Sequence, residues 1–230
     1  MSKYDNIKVL TFAKGSFVKS NEMLVKHLNS FGVKNIISKT DSDLSDDFKT
    51  KHRNLFSQKR GYGYWIWKPY IILEEISKLS DDEILIYLDS TDLPDQLFFD
   101  IVLEHFRNQD VLLLNRGYKN GEWTKRDCFV MMGCDDTKYH EHIQLEAGVI
   151  GLKKTEKNIS LIEEWYQYMN NENILTDLPN ISGQPNLKNF KDHRHDQSIL
   201  TNLSIKYDLK SVSFPNFVIK YNYHQPSIYG

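Results

Sequence analysis

The sequence predicts an α/β fold: a Rossmann-like, mostly parallel sheet with helices on both faces, in one domain spanning residues 1–230. Two observations predict it. The chain opens with a strand, a helix and a second strand, and a βαβ unit closes only as a parallel pair with its helix packed on the sheet. Further on, EILIYL at residues 83–88 is an uninterrupted apolar run of strand length, as expected for a central strand covered on both faces. No internal repeat, low-complexity tract or linker interrupts the pattern, so no domain boundary is expected.

Taken in order, Ile7 to Phe12 (IKVLTF) is rich in β-formers and ends at Ala13-Lys14-Gly15-Ser16, which reads as a buried strand running into a loop. From Ser20 to Phe31, Met23, Leu24, His27, Leu28 and Phe31 recur at helical spacing, with Ser20 or Asn21 as N-cap and Gly32 as the C-terminal stop. Val33 to Ser38 is the second strand. Asp41 to Lys51 is polar and reads as a loop leading into a helix through Phe48, His52 and Leu55. Tyr70–Leu79 is the next helix, 83–88 the central strand, Leu97–Arg107 an amphipathic helix and Val111–Leu114 a strand. The pattern is irregular until a strand at Ala147–Leu152. A helix at Ser160–Met169, an Asn-rich loop over 170–192, a helix at 196–204 and a short strand near Ser211–Phe214 complete the chain.

Composition excludes several classes. With 29 Lys+Arg against 31 Asp+Glu the net charge is -2, so no field attracts nucleic acid, and membrane association is peripheral at most. No stretch reaches the ~18 apolar residues of a span, and the N-terminus lacks a basic region followed by an apolar run; a cytoplasmic protein is expected. Cys128 and Cys134 match neither a zinc knuckle nor a redox pair, and His193 with His195 lacks a third zinc ligand at a suitable spacing. An aromatic content of 13% suits a site that stacks flat ligands or sugar rings.

Candidate chemistry gathers where strands end, because ligands of open α/β sheets bind beyond the carboxyl ends. Asp89 follows EILIYL directly, opening Asp89-Ser90-Thr91-Asp92, and its carboxylate offers hard oxygens for Mg2+ or Mn2+; an aspartate there also caps turns. RGYGYWIWKPY (60–70) sets five aromatics and two glycines before a helix. Its glycines allow close backbone approach and Arg60 and Lys68 offer cations for phosphate, while Trp65 and Trp67 read equally as core. TKRDCF (124–129) groups Lys125, Arg126 and Asp127, and such a run is also a solvated loop. In QLEAGVIGL (144–152), Glu146 leads an apolar strand and is either a sugar-hydroxyl acceptor or an edge residue. In DHRHDQSIL (192–200), Asp196 and Gln197 open a helix, Asp196 as its natural N-cap. His224 near the C-terminus, in Tyr223-His224-Gln225-Pro226, is either a residue that closes over a metal-bound diphosphate or a terminal histidine with no role.

In this order the blocks resemble glycosyltransferases of the GT-A fold, in particular family-eight-like and capsular polysaccharide sugar transferases. IKVLTFA resembles the first strand and nucleotide-binding loop, ILIYLDSTD the strand ending in a DxD metal motif, LEAGVIGL the segment contacting the donor sugar, and HDQSIL the DQ helix start near the reacting carbon. RGYGYWIWKPYII is similar to a string in a subgroup of sugar transferases. The resemblance implies a mixed, mostly parallel sheet and transfer of a sugar from a nucleotide-diphosphate donor, a UDP-sugar first among them, to a hydroxyl of a glycan or lipid-linked acceptor, either with retention or with inversion, in which case one carboxylate acts as general base on the acceptor hydroxyl. It implies Mn2+ or Mg2+ at Asp89, Thr91, Asp92 and His224, and Gln197, Asp196, Glu146 and Asp127 at the reacting centre. The nucleotide-sugar would meet Thr11, Phe12, Ala13, Tyr64, Trp67, Lys68, Ser90, Lys125 and Arg126. The motif departs from DxD in having Thr91 third and its second carboxylate one residue later, at Asp92, and Glu146 stands where the family more often has Asn. A nucleotidyltransferase would share the strand-end aspartates but calls for a glycine-rich phosphate loop that Ala13-Lys14-Gly15-Ser16 does not supply, and a silent carbohydrate-binding protein would need no metal.

Overall fold

A computed structural model describes residues 2–213 and 218–220. Its strands are β1 (Ile7–Phe12), β2 (Ile36–Lys39), β3 (Ile84–Leu88), β4 (Asp92–Pro94), β5 (Val111–Lys119), β6 (Ile143–Lys153), β7 (Val212–Ser213) and β8 (Val218–Lys220). Its helices are α1 (Phe17–Ser30), the short α2 (Asp46–Lys51), α3 (Arg53–Phe56) and α4 (Gly61–Tyr64), then α5 (Trp67–Ile76), α6 (Gln96–His105), α7 (Arg126–Met131), α8 (Thr137–His140), α9 (Glu156–Met169), α10 (Glu172–Leu175) and α11 (His195–Lys206).

The main sheet has the order β2-β1-β3-β6-β5-β7. β1 is parallel to β2 and β3, β6 runs antiparallel to both β3 and β5, and β7 is parallel to β5, so β6 alone runs against its neighbours. The sheet is thus mostly parallel, as its apolar strands predict. Side chains alternate between faces with period two. Val9, Ile84, Ile86 and Leu88 join Leu24 and Leu28 of α1 and Phe98, Phe99 and Val102 of α6 on one side. Leu10, Leu85 and Tyr87 join Ile71 and Ile72 of α5, Leu161 and Trp165 of α9, and Ile199 and Leu203 of α11 on the other. Helices therefore cover both faces, and every central strand residue is buried.

Several boundaries differ from the sequence expectation. α5 begins at Trp67 rather than after Pro69, because a proline in the first helical turn loses only an N–H that has no intrahelical acceptor. The polar stretch from Asp41 forms a 3-10 turn and α2, and the expected loop at 170–192 contains α10. The largest difference is the expected irregular region after Leu114: β5 continues to Lys119 and pairs with a β6 that starts at Ile143, through register shifts at Leu113/Leu114 and Asn115/Lys119. Each bulge resets the alternation on which a periodicity reading depends.

Candidate functional site

The carboxyl ends of β1 and β3 lie side by side, and antiparallel β6 crosses beside them with Leu88 paired to Val149. Just beyond β3 the chain turns sharply: the Asp89 N–H donates to the Gly148 carbonyl (2.8 Å) and the Asp92 N–H to the Asp89 carbonyl (2.9 Å). Ser90 is buried inside this turn, Thr91 and Asp89 are half-buried, and Asp92 is fully enclosed at the start of β4. The carboxylates of this turn and of Glu146 converge over Gly148. A Cβ on Gly148 would lie 2.8 Å from Asp92 Oδ2, 3.0 Å from Asp89 Oδ2 and 3.2 Å from Glu146 Oε1, so only glycine leaves this space open. β8 pairs antiparallel with β4, setting Lys220 opposite Asp92; His224 lies outside the described residues.

A buried cation answers this acidic group. As the second residue of α5, Lys68 is 2% exposed and its Nζ lies 2.8 Å from Asp196 Oδ2 and 3.5 Å from Asp89 Oδ1, while donating to the Ala147 carbonyl at 3.1 Å. The Tyr87 ring centroid is 5.2 Å away, and its hydroxyl donates to Asp89 Oδ1 at 2.7 Å. Burial alone would lower the Lys68 pKa; the Asp196 and Asp89 carboxylates outweigh it and hold the ammonium above its ordinary value. Burial raises the Asp196 carboxyl to about 6, with Lys68 opposing the rise and Asp89 adding to it. Burial, then the Asp89 charge, pushes the Tyr87 phenol well up, so it stays a donor.

Asp196 does not cap its helix. α11 begins one residue earlier, its N-cap is Arg194 with no side-chain cap bond, and Asp196 sits in the first turn where the helix dipole favours its charge. Trp165 Nε1 donates to its backbone carbonyl at 2.9 Å. Gln197 is bonded to β6: its Oε1 accepts from the Ala147 N–H (3.3 Å) and its Nε2 donates to Gln144 Oε1 (3.1 Å).

Two strained segments brace the pair. Tyr62, Tyr64, Trp65 and His195 all have left-handed backbones (φ 47°, 55°, 61° and 48°), a conformation that costs non-glycine residues roughly 1–3 kcal/mol each. The Tyr64 and Trp65 rings lie 4.7 and 5.8 Å from the His195 ring, whose Nδ1 bonds the Leu175 carbonyl at 2.7 Å. Arg60 ties the same segments together through Asp177 (3.1 Å) and Asp192 (2.6 Å). The aromatic block and the DHRHDQ block therefore pack on one another and set Lys68 against Asp196.

Other expected residues are committed elsewhere. Thr11, Phe12 and Ala13 are buried at the end of β1, and the Thr11 hydroxyl has no hydrogen-bond partner among the described residues. Trp67 stacks on Phe12 at 4.0 Å and its Nε1 donates to the Gly61 carbonyl, which makes it core rather than a ligand platform. Lys125 is buried and donates to the Thr176 and Leu178 carbonyls; burial lowers its pKa. Arg126 pairs with Asp135 at 2.8 Å, and Asp127 accepts from the Ile181 and Ser182 N–H groups at 2.7 and 3.1 Å. The charged run thus fastens the 176–186 loop instead of meeting the carboxylates over Gly148. Sequence reasoning missed Tyr87, Gly148 and Gln144. Tyr87 was accessible to it, since two residues before Asp89 on a strand means the same face.

Carboxylate oxygens are the donor type that a hard divalent cation takes, and those of Asp89, Asp92 and Glu146 lie near one point over Gly148. Among the described residues no group of three or more His, Cys, Asp or Glu side chains is arranged so that it could hold a metal ion, and Lys68 is one counter-charge beside Asp89. No helix among the described residues is long and apolar enough to cross a membrane.

No protein-family profile and no curated protein sequence matches the chain. Solved structures do resemble it. Mouse xyloside xylosyltransferase 1, in its apo form, superposes over 90% of this chain and 84% of its own at a TM-score of 0.50 and 11% identity. The WbbM bifunctional glycosyltransferase apo structure superposes over 94% of this chain but 40% of its own, at a TM-score of 0.50 and 12% identity. A glycosyltransferase involved in glycosylating the major capsid of PBCV-1 matches over 71% of this chain and 66% of its own, at a TM-score of 0.39 and 12% identity. The chain therefore has a fold found in glycosyltransferases, and it spans about two thirds or less of two of these structures.

Proposed function

We propose that the chain is a glycosyltransferase that moves a sugar from a nucleotide-diphosphate donor, a UDP-sugar first among the candidates, to a hydroxyl of a glycan or lipid-linked acceptor. The observation that carries this reading is the convergence of Asp89, Asp92 and Glu146 over Gly148, beside the buried Lys68–Asp196 pair, at the carboxyl ends of a sheet with a glycosyltransferase-type fold. Mn2+ or Mg2+ held by Asp89 and Asp92, with His224 as a further ligand on sequence grounds, would supply Lewis-acid neutralisation of the leaving diphosphate.

In the transfer, the bond from the anomeric carbon to the diphosphate oxygen breaks with its electron pair on that oxygen. A bond to the acceptor oxygen forms, and the acceptor proton passes to the departing diphosphate. Attack from the face that the diphosphate leaves gives retention. Asp196 would accept hydrogen bonds from donor-sugar hydroxyls, Lys68 pairs with Asp196 and lies beside Asp89, and Gln197 would line the reacting space. Glu146 orients the acceptor. Asp127, held by two backbone N–H groups, has no part in this scheme.

The test is calorimetric titration of nucleoside diphosphates with and without Mn2+, followed by hydrolysis assays across a panel of nucleotide sugars. Mn2+-dependent binding that Asp89→Ala abolishes, with slow donor hydrolysis in wild type, is the expected result. Failure of every nucleotide to bind would overturn the reading.

A further inference from the structure

A cavity of about 260 Å³ opens next to the carboxylates over Gly148, and Tyr118, Trp123, Gln144, Glu146, Arg194 and Gln197 line it. Glu146 and Gln197 belong to the site already described; the other four come from the bulged end of β5, the turn after it, the start of β6 and the residue before α11. Ring faces, amides, Leu145, the Glu146 carboxylate and the Arg194 guanidinium make up its wall. Tyr118 is 52% exposed and lies 5.9 Å from Trp123, centroid to centroid, with the ring planes tilted by 51°, so the open Tyr118 ring offers a face of the kind that packs against the C–H face of a pyranose. Gln144 Nε2 is used by the Trp123 carbonyl, Thr124 Oγ1 and Ser198 Oγ, which ties the Trp123 backbone to the start of β6 and to α11.

The charge in this cavity is the informative part. The Arg194 guanidinium lies with its central carbon over the Trp123 ring, 4.3 Å from the ring centroid. Its N–H edge has no carboxylate or other hydrogen-bond partner among the described residues, whereas the other half-buried arginines, Arg60 and Arg126, are each ion-paired. A guanidinium keeps its charge at any working pH, and its fork of donors matches carboxylate or phosphate. Lys191, 5.4 Å from the same ring, is already neutralised by Glu122.

We infer that this cavity is the acceptor subsite and that it selects a pyranoside carrying an anionic substituent, with the sugar ring against Tyr118 and the anion on Arg194. The inference rests on the transferase reading and deepens it. Carboxylate and phosphate are both compatible with the guanidinium fork, and the arms of the test separate them.

Three methyl β-glucosides, neutral, 6-carboxylate (the glucuronide) and 6-phosphate, are titrated by saturation-transfer NMR in the presence of UDP and Mn2+. At least one charged glycoside is expected to bind ten times or more tighter than the neutral one, and the better of the two names the anion. Arg194→Gln should bring the charged glycosides to parity with the neutral one. Tyr118→Ala, at an exposed position where the fold is not at stake, should weaken all three alike. Equal binding of all three in wild type, no binding of either charged glycoside, a preference that survives Arg194→Gln, or inorganic phosphate binding as tightly as the phosphoglycoside would each overturn the inference. UDP binding with Mn2+, measured on the same samples, reports the transferase reading separately: its absence counts against that reading, while the glycoside ratio counts for or against the subsite.

Discussion

The Lys68 ammonium lies 2.8 Å from the Asp196 carboxylate with both side chains almost fully buried, and it reaches the Asp89 carboxylate at 3.5 Å. One cation thus couples α5, α11 and the end of β3. Removing one partner of such a pair leaves an uncompensated buried charge, which costs about 3–5 kcal/mol. Lys68→Met is expected to lower the denaturation midpoint accordingly. It should also move the Asp196 titration upward from about 6, because Lys68 is the group that opposes the effect of burial there. Carbon-13 NMR of the carboxyls reads the second effect independently of stability; an unmoved Asp196 would show that the two groups are not coupled.

Gly148→Ala is a compact probe of the carboxylate group. The new methyl would stand 2.8 Å from Asp92 Oδ2 and 3.0 Å from Asp89 Oδ2, and both carboxylates must move apart to admit it. Overpacking of this kind costs about 1–3 kcal/mol, so the protein should still fold. Mn2+-dependent nucleoside diphosphate binding should weaken tenfold or more. Unchanged affinity would place the cation away from Gly148.

Much of the frame was legible from the sequence because its central strands are apolar on both faces: IKVLTF and EILIYL could only be core. Asp89 was legible for the same reason, as the first carboxylate after such a strand. The Lys68–Asp196 contact was not. It depends on α5 starting at Trp67, ahead of a proline that reads as a boundary, and on left-handed backbones at Tyr64, Trp65 and His195 that no propensity favours. In the run Lys125-Arg126-Asp127 the charges satisfy loop carbonyls, loop N–H groups and Asp135, contacts that no spacing in the sequence announces. Arg194 carried no pattern at all, and its place on Trp123 follows from the bulged pairing of β5 with β6.

Acid should destabilise the fold through its buried histidines. Burial holds His52 down at about 4 and also pushes His193 and His195 below their ordinary value, so all three are neutral in the folded chain at pH 6.5. In the unfolded chain they take up protons near pH 6.5. Their contribution is therefore fully present above that pH and is lost as pH falls toward 4, at up to about 1.4 kcal/mol per pH unit for each histidine. His52, whose Nε2 bonds the Tyr166 hydroxyl at 2.9 Å, is the cleanest of the three to replace. Urea unfolding of His52→Gln should show a shallower pH slope than wild type between pH 6.5 and 4; identical slopes would mean that His52 protonates equally in both states.

The orientation of the Gln197 amide is fixed by its neighbours, and this leads to a test that separates its charge from its shape. Ala147 N–H donates to Oε1 and Gln144 Oε1 accepts from Nε2. Gln144 cannot readily reverse its own amide, because its Nε2 already serves the Trp123 carbonyl, Thr124 and Ser198. In Gln197→Glu one carboxylate oxygen keeps the Ala147 bond while the other meets Gln144 Oε1, setting acceptor against acceptor beside Glu146. A buried acceptor left without its donor costs about 1–3 kcal/mol. Gln197→Ala removes both bonds but leaves no such conflict and opens the cavity to water, so Gln197→Glu is expected to be the less stable variant despite its closer shape. If Gln197 lines the reacting space as proposed, both variants should lower turnover more than nucleotide affinity, by roughly tenfold for each 1.4 kcal/mol of transition-state stabilisation lost. Thermal melts of the two variants, read beside donor hydrolysis, check both halves; a Gln197→Glu protein as stable as wild type would mean that the Gln144 amide reverses freely and the network does not fix Gln197.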